Sequence, residues 1–296
     1  MEKSFKISSN QIEKLINKFK KYAHRTINNP HLLFFVKLNN ITLSIFKTKS
    51  LLLQGNKKEI DQFIKENLNI AWTPAKASQT KNINGIIGCD EVGVGDYFGP
   101  LVTCACYLDN SQIEIFKKLN IKDSKKLNDE YILQIANWIK KHTILFVSIC
   151  ENNIYNKLIE KYSNSKLVLS ICHNLTLHKV QSQIKNKKYQ TVMDEFVTET
   201  KYYQYLKQAK ERIAKIDCFL PKAEDKYLAV ACASIVARAT FLNCMKQMQQ
   251  KLKIKIPLGA SNTNEIVKVG KYINKRYSLD DFAKVHFTPI TDKILN

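Results

Sequence analysis

Apolar residues recur at helical spacing over residues 10–22, with Ile12, Leu15, Ile16 and Phe19 on one face. Ser8 and Gln11 stand ahead of them with the spacing of a capping box. Residues 31–38 and 41–47 then read as two strands around Asn39-Asn40, a pair suited to a hairpin turn. Residues 51–54 predict a third strand, ended by Gly55. Residues 57–67 predict a second helix with Ile60, Phe63 and Ile64 on one face. Helix, three strands, helix is the order of a sheet covered on one side, whose other side is free to bind something. Periodicity then stops. The stretch from Thr73 to Thr80 holds Pro, Ser and Thr without an apolar pattern. The expected organisation is a small α+β domain over 1–72, a linker over 73–84 and a second domain over 85–296.

The second domain alternates strand and helix. Strands are expected at 86–89, 101–108, 143–149 and 190–193. Helices are expected at 111–119, 129–141, 165–185 and 202–210, with a long one over 223–252 that is apolar at Leu228, Ala231, Ile235, Leu242 and Met245. Mixed strands and helices over this length define an α/β domain. No internal repeat is visible.

Composition adds charge to this picture. Lys and Arg number 47 against 26 Asp and Glu, a net charge of +21 in 296 residues. Such a surface attracts polyanions. An A+T-rich genome would also raise the lysine content, and only Arg25, Arg212, Arg238 and Arg276 are arginines, so charge alone does not decide for nucleic acid. Hydrophobic residues make up 45%, which excludes global disorder. The eight cysteines (Cys89, Cys104, Cys106, Cys150, Cys172, Cys218, Cys232 and Cys244) form no C-x-x-C pair and mostly sit in apolar runs. Reduced buried thiols and a cytoplasmic setting are expected, not a zinc site or a disulfide framework. The first ten residues lack the apolar core of a signal peptide, and no uninterrupted apolar run reaches the roughly 18 residues of a membrane span.

Chemistry concentrates at Asp90-Glu91. The two acids end an apolar strand and precede Gly93-Val94-Gly95-Asp96-Tyr97-Phe98-Gly99-Pro100, which holds three of the eight glycines. Two hard oxygen donors at a rigid strand end suit Mg²⁺ or Mn²⁺. Glycines let backbone approach a substrate closely. The plainer reading is a surface turn with solvated acids. The glycines follow the acids with the wrong spacing for a dinucleotide fingerprint. Asp194 ends the strand 190–193 in the same way, though a strand-end cap accounts for it too. Glu224 stands at the start of the long helix, where acids also complement the helix dipole. Together these acids could converge on a pair of divalent cations suited to phosphodiester cleavage. Asp123-Ser124-Lys125-Lys126-Leu127 could hold backbone phosphates or simply cap the next helix. None of the six histidines has metal-ligand spacing; His173 and His178 are five apart, and His286 is the one of interest. No G-x-S-x-G elbow supports a serine hydrolase.

These motifs, taken in order, carry a resemblance. Asp90–Pro100 resembles the signature of the bacterial ribonuclease HIII family. Asp123–Leu127, Asp194-Glu195-Phe196, Lys222-Ala223-Glu224, the run from Ala229 to Arg238, Pro257–Ser261 and Lys284-Val285-His286-Phe287 follow in family order, covering about residues 85–290. The related ribonuclease HII family shares Asp-Glu before G-x-G but lacks the Asp-Tyr-Phe-Gly-Pro continuation. Ribonuclease HIII also carries an N-terminal domain like half of the TATA-box-binding protein, in keeping with the small α+β unit here.

The resemblance implies a ribonuclease H-like catalytic domain with a mixed sheet flanked by helices. It implies hydrolysis of the RNA strand of RNA–DNA hybrids, leaving 5′-phosphate and 3′-hydroxyl ends. Asp90, Glu91, Asp194 and Glu224 would be the catalytic carboxylates, holding two Mg²⁺ or Mn²⁺ ions; Glu224 is the type HIII choice where type HII usually has Asp. Gly93, Val94, Gly95, Ser124 and Lys125 would meet the substrate, the G-x-G backbone at ribose 2′-hydroxyls. Val94 departs from the family, which often has Thr or another polar residue there, so a side-chain contact at that point is not expected. A cytoplasmic monomer without a membrane or an obligate protein partner is expected. A ribonuclease HII-like enzyme acting at single ribonucleotides in duplex DNA is the nearest alternative, and a non-catalytic nucleic-acid-binding protein the next.

Overall fold

The computed structural model describes residues 2–22, 32–38, 40–68, 84–117, 128–184 and 187–296. Two compact units divide the chain, Met1–Thr80 and Lys81–Asn296. Of the linker expected over 73–84, all but Asn84 lies outside the described residues. So do Asn39 of the hairpin turn and both Ser124 and Lys125.

The first unit opens with a strand that the apolar pattern does not announce, β1 (Glu2–Lys6). Helix α1 (Ser9–Phe19) follows. Its N-cap Ser8 accepts from the Gln11 N–H while the Gln11 side chain accepts from the Ser8 N–H, the reciprocal box read in the sequence. Strands β2 (Leu32–Leu38), β3 (Ile41–Phe46) and β4 (Ser50–Gly55) precede helix α2 (Lys57–Asn67). The sheet is antiparallel in the order β1-β4-β3-β2, four strands where three are expected. Val36, Leu43, Ile45, Leu51 and Leu53 point to one side and are buried with Ile12, Leu15, Phe19, Ile60, Phe63 and Ile64 of the two helices. Strand alternation places Phe35, Lys37, Thr42, Ser44, Leu52 and Gln54 on the opposite side.

The second unit is a five-stranded mixed sheet. Its elements in chain order are β5 (Gly85–Val92), β6 (Leu101–Asp109), α3 (Asn110–Lys117), α4 (Asp129–His142), β7 (Ile144–Cys150), α5 (Asn152–Tyr162), α6 (Ser165–Gln183), β8 (Tyr189–Asp194), α7 (Glu199–Gln208), β9 (Cys218–Leu220), α8 (Leu228–Leu252), α9 (Thr263–Asn274) and α10 (Thr288–Leu295). Spatial order is β7-β6-β5-β8-β9, antiparallel through β7, β6 and β5 and parallel from β5 through β8 to β9. On one face Val102, Cys104, Cys106 and Leu108 of β6 pack with α4 and α8. On the other, Ile87 and Cys89 of β5 and Ala105 and Tyr107 of β6 pack with α6 and α7. The sheet is thus flanked by helices on both faces, as the resemblance implies. Residues 223–252 do not form one continuous helix. Ala223–Asp225 is a separate 3₁₀ turn, and extended backbone at Tyr227 divides it from α8. The cause is visible: the Ala223 N–H donates to Asp194 Oδ1 at 2.8 Å, which draws the turn onto the end of β8.

Among the described residues α8 is the one helix long and apolar enough to cross a membrane by length and composition. Its apolar residues are spent on the core, since Leu228, Ala231, Ile235 and Met245 are all buried. All eight cysteines are free thiols, six of them buried.

Candidate active site

Strand alternation sends the two acids of β5 in different directions. Asp90 shares the face of Ile86 and Gly88, toward α8; Glu91 shares the face of Ile87 and Cys89, toward α6. Gly88 brings α8 close. A Cβ there would stand 2.1 Å from the Val230 nitrogen and 2.2 Å from the Ala229 carbonyl carbon, so only glycine lets this strand lie on that helix. β8 runs parallel beside β5, in register from Gly85–Tyr189 to Cys89–Met193, and this places Asp194 beside Asp90 at adjacent strand ends.

Asp90, Glu91, Asp194 and Glu224 all line one cavity of about 260 Å³, together with Val92, Ile132, Ser234, Ile235 and Arg238. The structure therefore gathers the four carboxylates singled out in the sequence. Asp90 Oδ1 accepts from the Glu91 N–H at 2.8 Å, and its carboxyl is also hydrogen-bonded to Ser234. Burial, then the neighbouring Glu91 carboxylate, push Asp90 up to about 8. Glu224 is only 5% exposed. Arg238, the cationic side chain among the lining residues, donates to Asp129 at 2.8 Å. Glu91 Oε2 lies 3.0 Å from Nε2 of His173 on α6.

Larger cavities lie elsewhere. One of about 610 Å³ in the first unit has an aromatic floor of Phe19 and Phe63, but it gathers no comparable acids at strand ends. Chemistry, not size, identifies the smaller cavity.

The donor set fits a divalent cation. Four carboxylates lining one small cavity supply hard oxygens, the donor type such a cation takes. Among the described residues no three His, Cys, Asp or Glu side chains are already closed into a metal cage. In general a Mg²⁺ site uses few carboxylates and completes its shell with water and substrate phosphates.

The turn after β5 is pinned from far along the chain. Gly93 has φ +92°, and a Cβ there would meet the Pro100 carbonyl oxygen at 2.2 Å. Val94 turns into the apolar cluster of Leu101, Tyr155, Val168 and Leu169, which accounts for a valine at this position. Around Gly95 nothing would lie within 4 Å of an added methyl, so the backbone there is open. Beyond it, Asp96 Oδ1 accepts from the Gly259 N–H, the Tyr97 N–H donates to the Gly259 carbonyl at 3.1 Å and the Gly99 N–H to the Phe282 carbonyl at 3.1 Å. The Tyr97 hydroxyl lies 3.1 Å from Thr291 Oγ1. Lys284 is fully buried and its Nζ donates to the carbonyls of Asp96 and Gly99. Desolvation pulls that ammonium down to about 8. The Asp-Tyr-Phe-Gly-Pro motif and Lys284-Val285-His286-Phe287 thus form one interlocked structure. His286 meets Tyr155 at a tilt and Phe287 edge-on and does not line the carboxylate cavity. His173, which no spacing rule marked, is the histidine at the site.

Comparison with known proteins defines first a class. The family model described as Ribonuclease HII matches residues 87–290, and one described as Domain of unknown function (DUF3378) matches residues 4–80. The ribonuclease HIII of Phytoplasma mali is 36% identical over 297 residues, covering 99% of this chain and 98% of that protein. The ribonuclease HIII of Lactococcus lactis subsp. cremoris is 32% identical over 285 residues, covering 95% and 94%. Among solved structures, Bst-RNase HIII in complex with Mn²⁺ superposes with a TM-score of 0.69 at 29% identity, over 100% of this chain and 98% of that one. A ribonuclease H2 from Pyrococcus horikoshii shares the fold over 72% of this chain at 18% identity, with a TM-score of 0.56. This chain belongs to the ribonuclease HII family, and within it to the ribonuclease HIII enzymes.

Proposed function

We propose that this protein is an endonuclease that hydrolyses the RNA strand of RNA–DNA hybrids at the cavity between β5, β8 and α8. The carrying observation is that four carboxylates, distant in sequence, line one small cavity in a protein of net charge +21. A polyanion is attracted to the whole surface and repelled by this one point unless cations intervene. Asp90, Glu91, Asp194 and Glu224 are the residues to hold them, two ions of Mg²⁺ or Mn²⁺. When bound, such ions supply Lewis acidity, activating a water and offsetting charge on the leaving oxygen.

The chain's own groups prepare the site. Asp90 is held by Ser234 and the Glu91 N–H, and Asp194 by the Ala223 N–H, so both are oriented before substrate arrives. The open backbone at Gly95, beside Gly93 and Val94, is suited to ribose 2′-hydroxyls, the groups that distinguish RNA from DNA. Ser124 and Lys125 are assigned to substrate phosphates on sequence grounds. The N-terminal unit grips the hybrid through the sheet side carrying Phe35, Lys37 and Gln54. Products carry 5′-phosphate and 3′-hydroxyl ends. Free thiols throughout fit a reducing cytoplasm, and the working form is a monomer without an obligate protein partner.

Asp90→Asn tests the reading. It is expected to abolish release of labelled RNA fragments while leaving hybrid binding largely intact; cleavage at the wild-type rate would sink the assignment. Cleavage of the wild type is expected to stop on adding EDTA, which a mere binder would not show. A DNA duplex with one embedded ribonucleotide is expected to be cut poorly; efficient cutting would favour the type HII-like activity.

A further inference from the structure

His173 lies behind the carboxylates on α6, with no exposed surface. Its Nε2 stands 3.0 Å from Glu91 Oε2. An ionised carboxylate only accepts, so the bond requires the tautomer with the proton on Nε2. Nδ1 is buried with no hydrogen-bond partner. The ring is therefore oriented by packing and by this one bond. Phe196 stacks on it, with centroids 5.3 Å apart and planes 20° from parallel. Phe196 itself follows Asp194 by two residues, and its N–H donates to the Asp194 carbonyl at 3.1 Å. The helix backbone is tied on both sides of the ring: Thr103 Oγ1 donates to the Cys172 carbonyl and Thr176 Oγ1 to the His173 carbonyl. One imidazole thus touches the Glu91 strand end by a hydrogen bond and the Asp194 strand end by stacking.

As mere filler this would be a costly choice, because leucine would pack in an apolar setting without burying a bare nitrogen. We propose that His173 is a positioning residue: it holds one oxygen of Glu91 through Nε2 and so sets the rotamer in which the carboxylate receives a divalent cation. This rests on the reading of Glu91 as a metal ligand. Outer hydrogen bonds of this kind orient ligands, and their loss costs about 10–100-fold in metal affinity.

The test uses the full chain without substrate, so its main readout does not depend on turnover. Mn²⁺ binding is followed by the loss of the free-ion electron paramagnetic resonance signal for the wild type, His173→Leu, His173→Gln, His173→Asn and Glu91→Gln. The Gln amide nitrogen reaches the place of Nε2; the shorter Asn does not. His173→Leu and His173→Asn are expected to bind Mn²⁺ at least about tenfold more weakly, and His173→Gln to stay within about threefold of wild type. In hybrid cleavage the loss is expected in kcat, with KM little changed. Wild-type Mn²⁺ affinity in the Leu and Asn variants, or equal losses in Gln and Asn, would show that the ring serves packing alone and would overturn the proposal. If the Leu variant does not fold, the Gln and Asn pair still decides. Glu91→Gln separates the two levels. If it binds Mn²⁺ like wild type, Glu91 is not a ligand and the proposal falls with that reading; if it loses Mn²⁺ while His173→Asn does not, only the role of His173 is refuted.

Discussion

Gly93 and Gly95 sit two positions apart under different constraints. Gly93 combines φ +92° with a carbonyl oxygen in the place of a Cβ, so Gly93→Ala strains both backbone and packing. Gly95 faces open space, and Gly95→Ala is expected to change stability by no more than about 0.5 kcal/mol in urea denaturation. If substrate backbone approaches there, the same variant loses about tenfold or more in kcat/KM for hybrid cleavage; unchanged kinetics would remove the turn from the substrate contact. Lys284 gives a pH test. Its folded value, about 8, lies below the ordinary 10.5, so between these the unfolded chain binds the extra proton. Its contribution to stability is fully present above about 10.5 and is lost as pH falls through about 8. Relative to Lys284→Met, the wild type is therefore expected to gain stability as pH rises across that window, measured by thermal unfolding of both proteins. A pH-independent difference would contradict a buried ammonium. At this scale the sequence marked the four acids that line the cavity, because Asp90, Glu91 and Asp194 end apolar strands and Glu224 precedes an apolar helix. His173 was not legible. Its partner is 82 positions away, and only the packing of α6 against β5 brings them together.

At the scale of elements, alternation and helical spacing gave β2 to β6, α1, α2, α4 and α6 to within a few residues. The break between Glu224 and α8 escaped, since the run from Ala223 onward is helical in composition and the interruption comes from Asp194, on a different strand. β1 escaped because its five residues, EKSFK, carry no apolar alternation; pairing with β4 makes it a strand. The junction of β5 and α8 is the element contact on which the site depends. Gly88→Ala is expected to cost about 1–3 kcal/mol or more, because the added methyl meets helix backbone that cannot rotate aside. Urea unfolding should show a lowered midpoint, and Mn²⁺ affinity should fall with it as Asp90 moves relative to Ser234. A variant as stable as wild type would mean that the strand and helix separate freely.

For the whole molecule, each unit encloses its own apolar core. A chain beginning at Lys81 is expected to fold, to bind Mn²⁺ and to cut hybrids with kcat within a few-fold of the full protein, but with KM raised about tenfold or more as phosphate and groove contacts are lost. Equal KM values would take substrate grip away from the N-terminal unit. Hybrid binding by catalytically silent Asp90→Asn should also weaken by at least about tenfold between roughly 50 and 200 mM salt. Charge alone left nucleic acid undecided in the sequence, and the presence of two units was legible as the loss of periodicity over residues 73–80.

The pinned turn also bears on how the enzyme is made. Tyr97 meets Thr291 across 194 positions, and the Lys284 ammonium ties down carbonyls nearly as far away. On a ribosome adding about 5–20 residues per second, the acids of β5 emerge roughly 10–40 s before the segment that fixes the turn beside them. During that interval the nascent chain carries Asp90 and Glu91 without the contacts that finish the turn, which form only once the segment around Lys284 and Thr291 has been made.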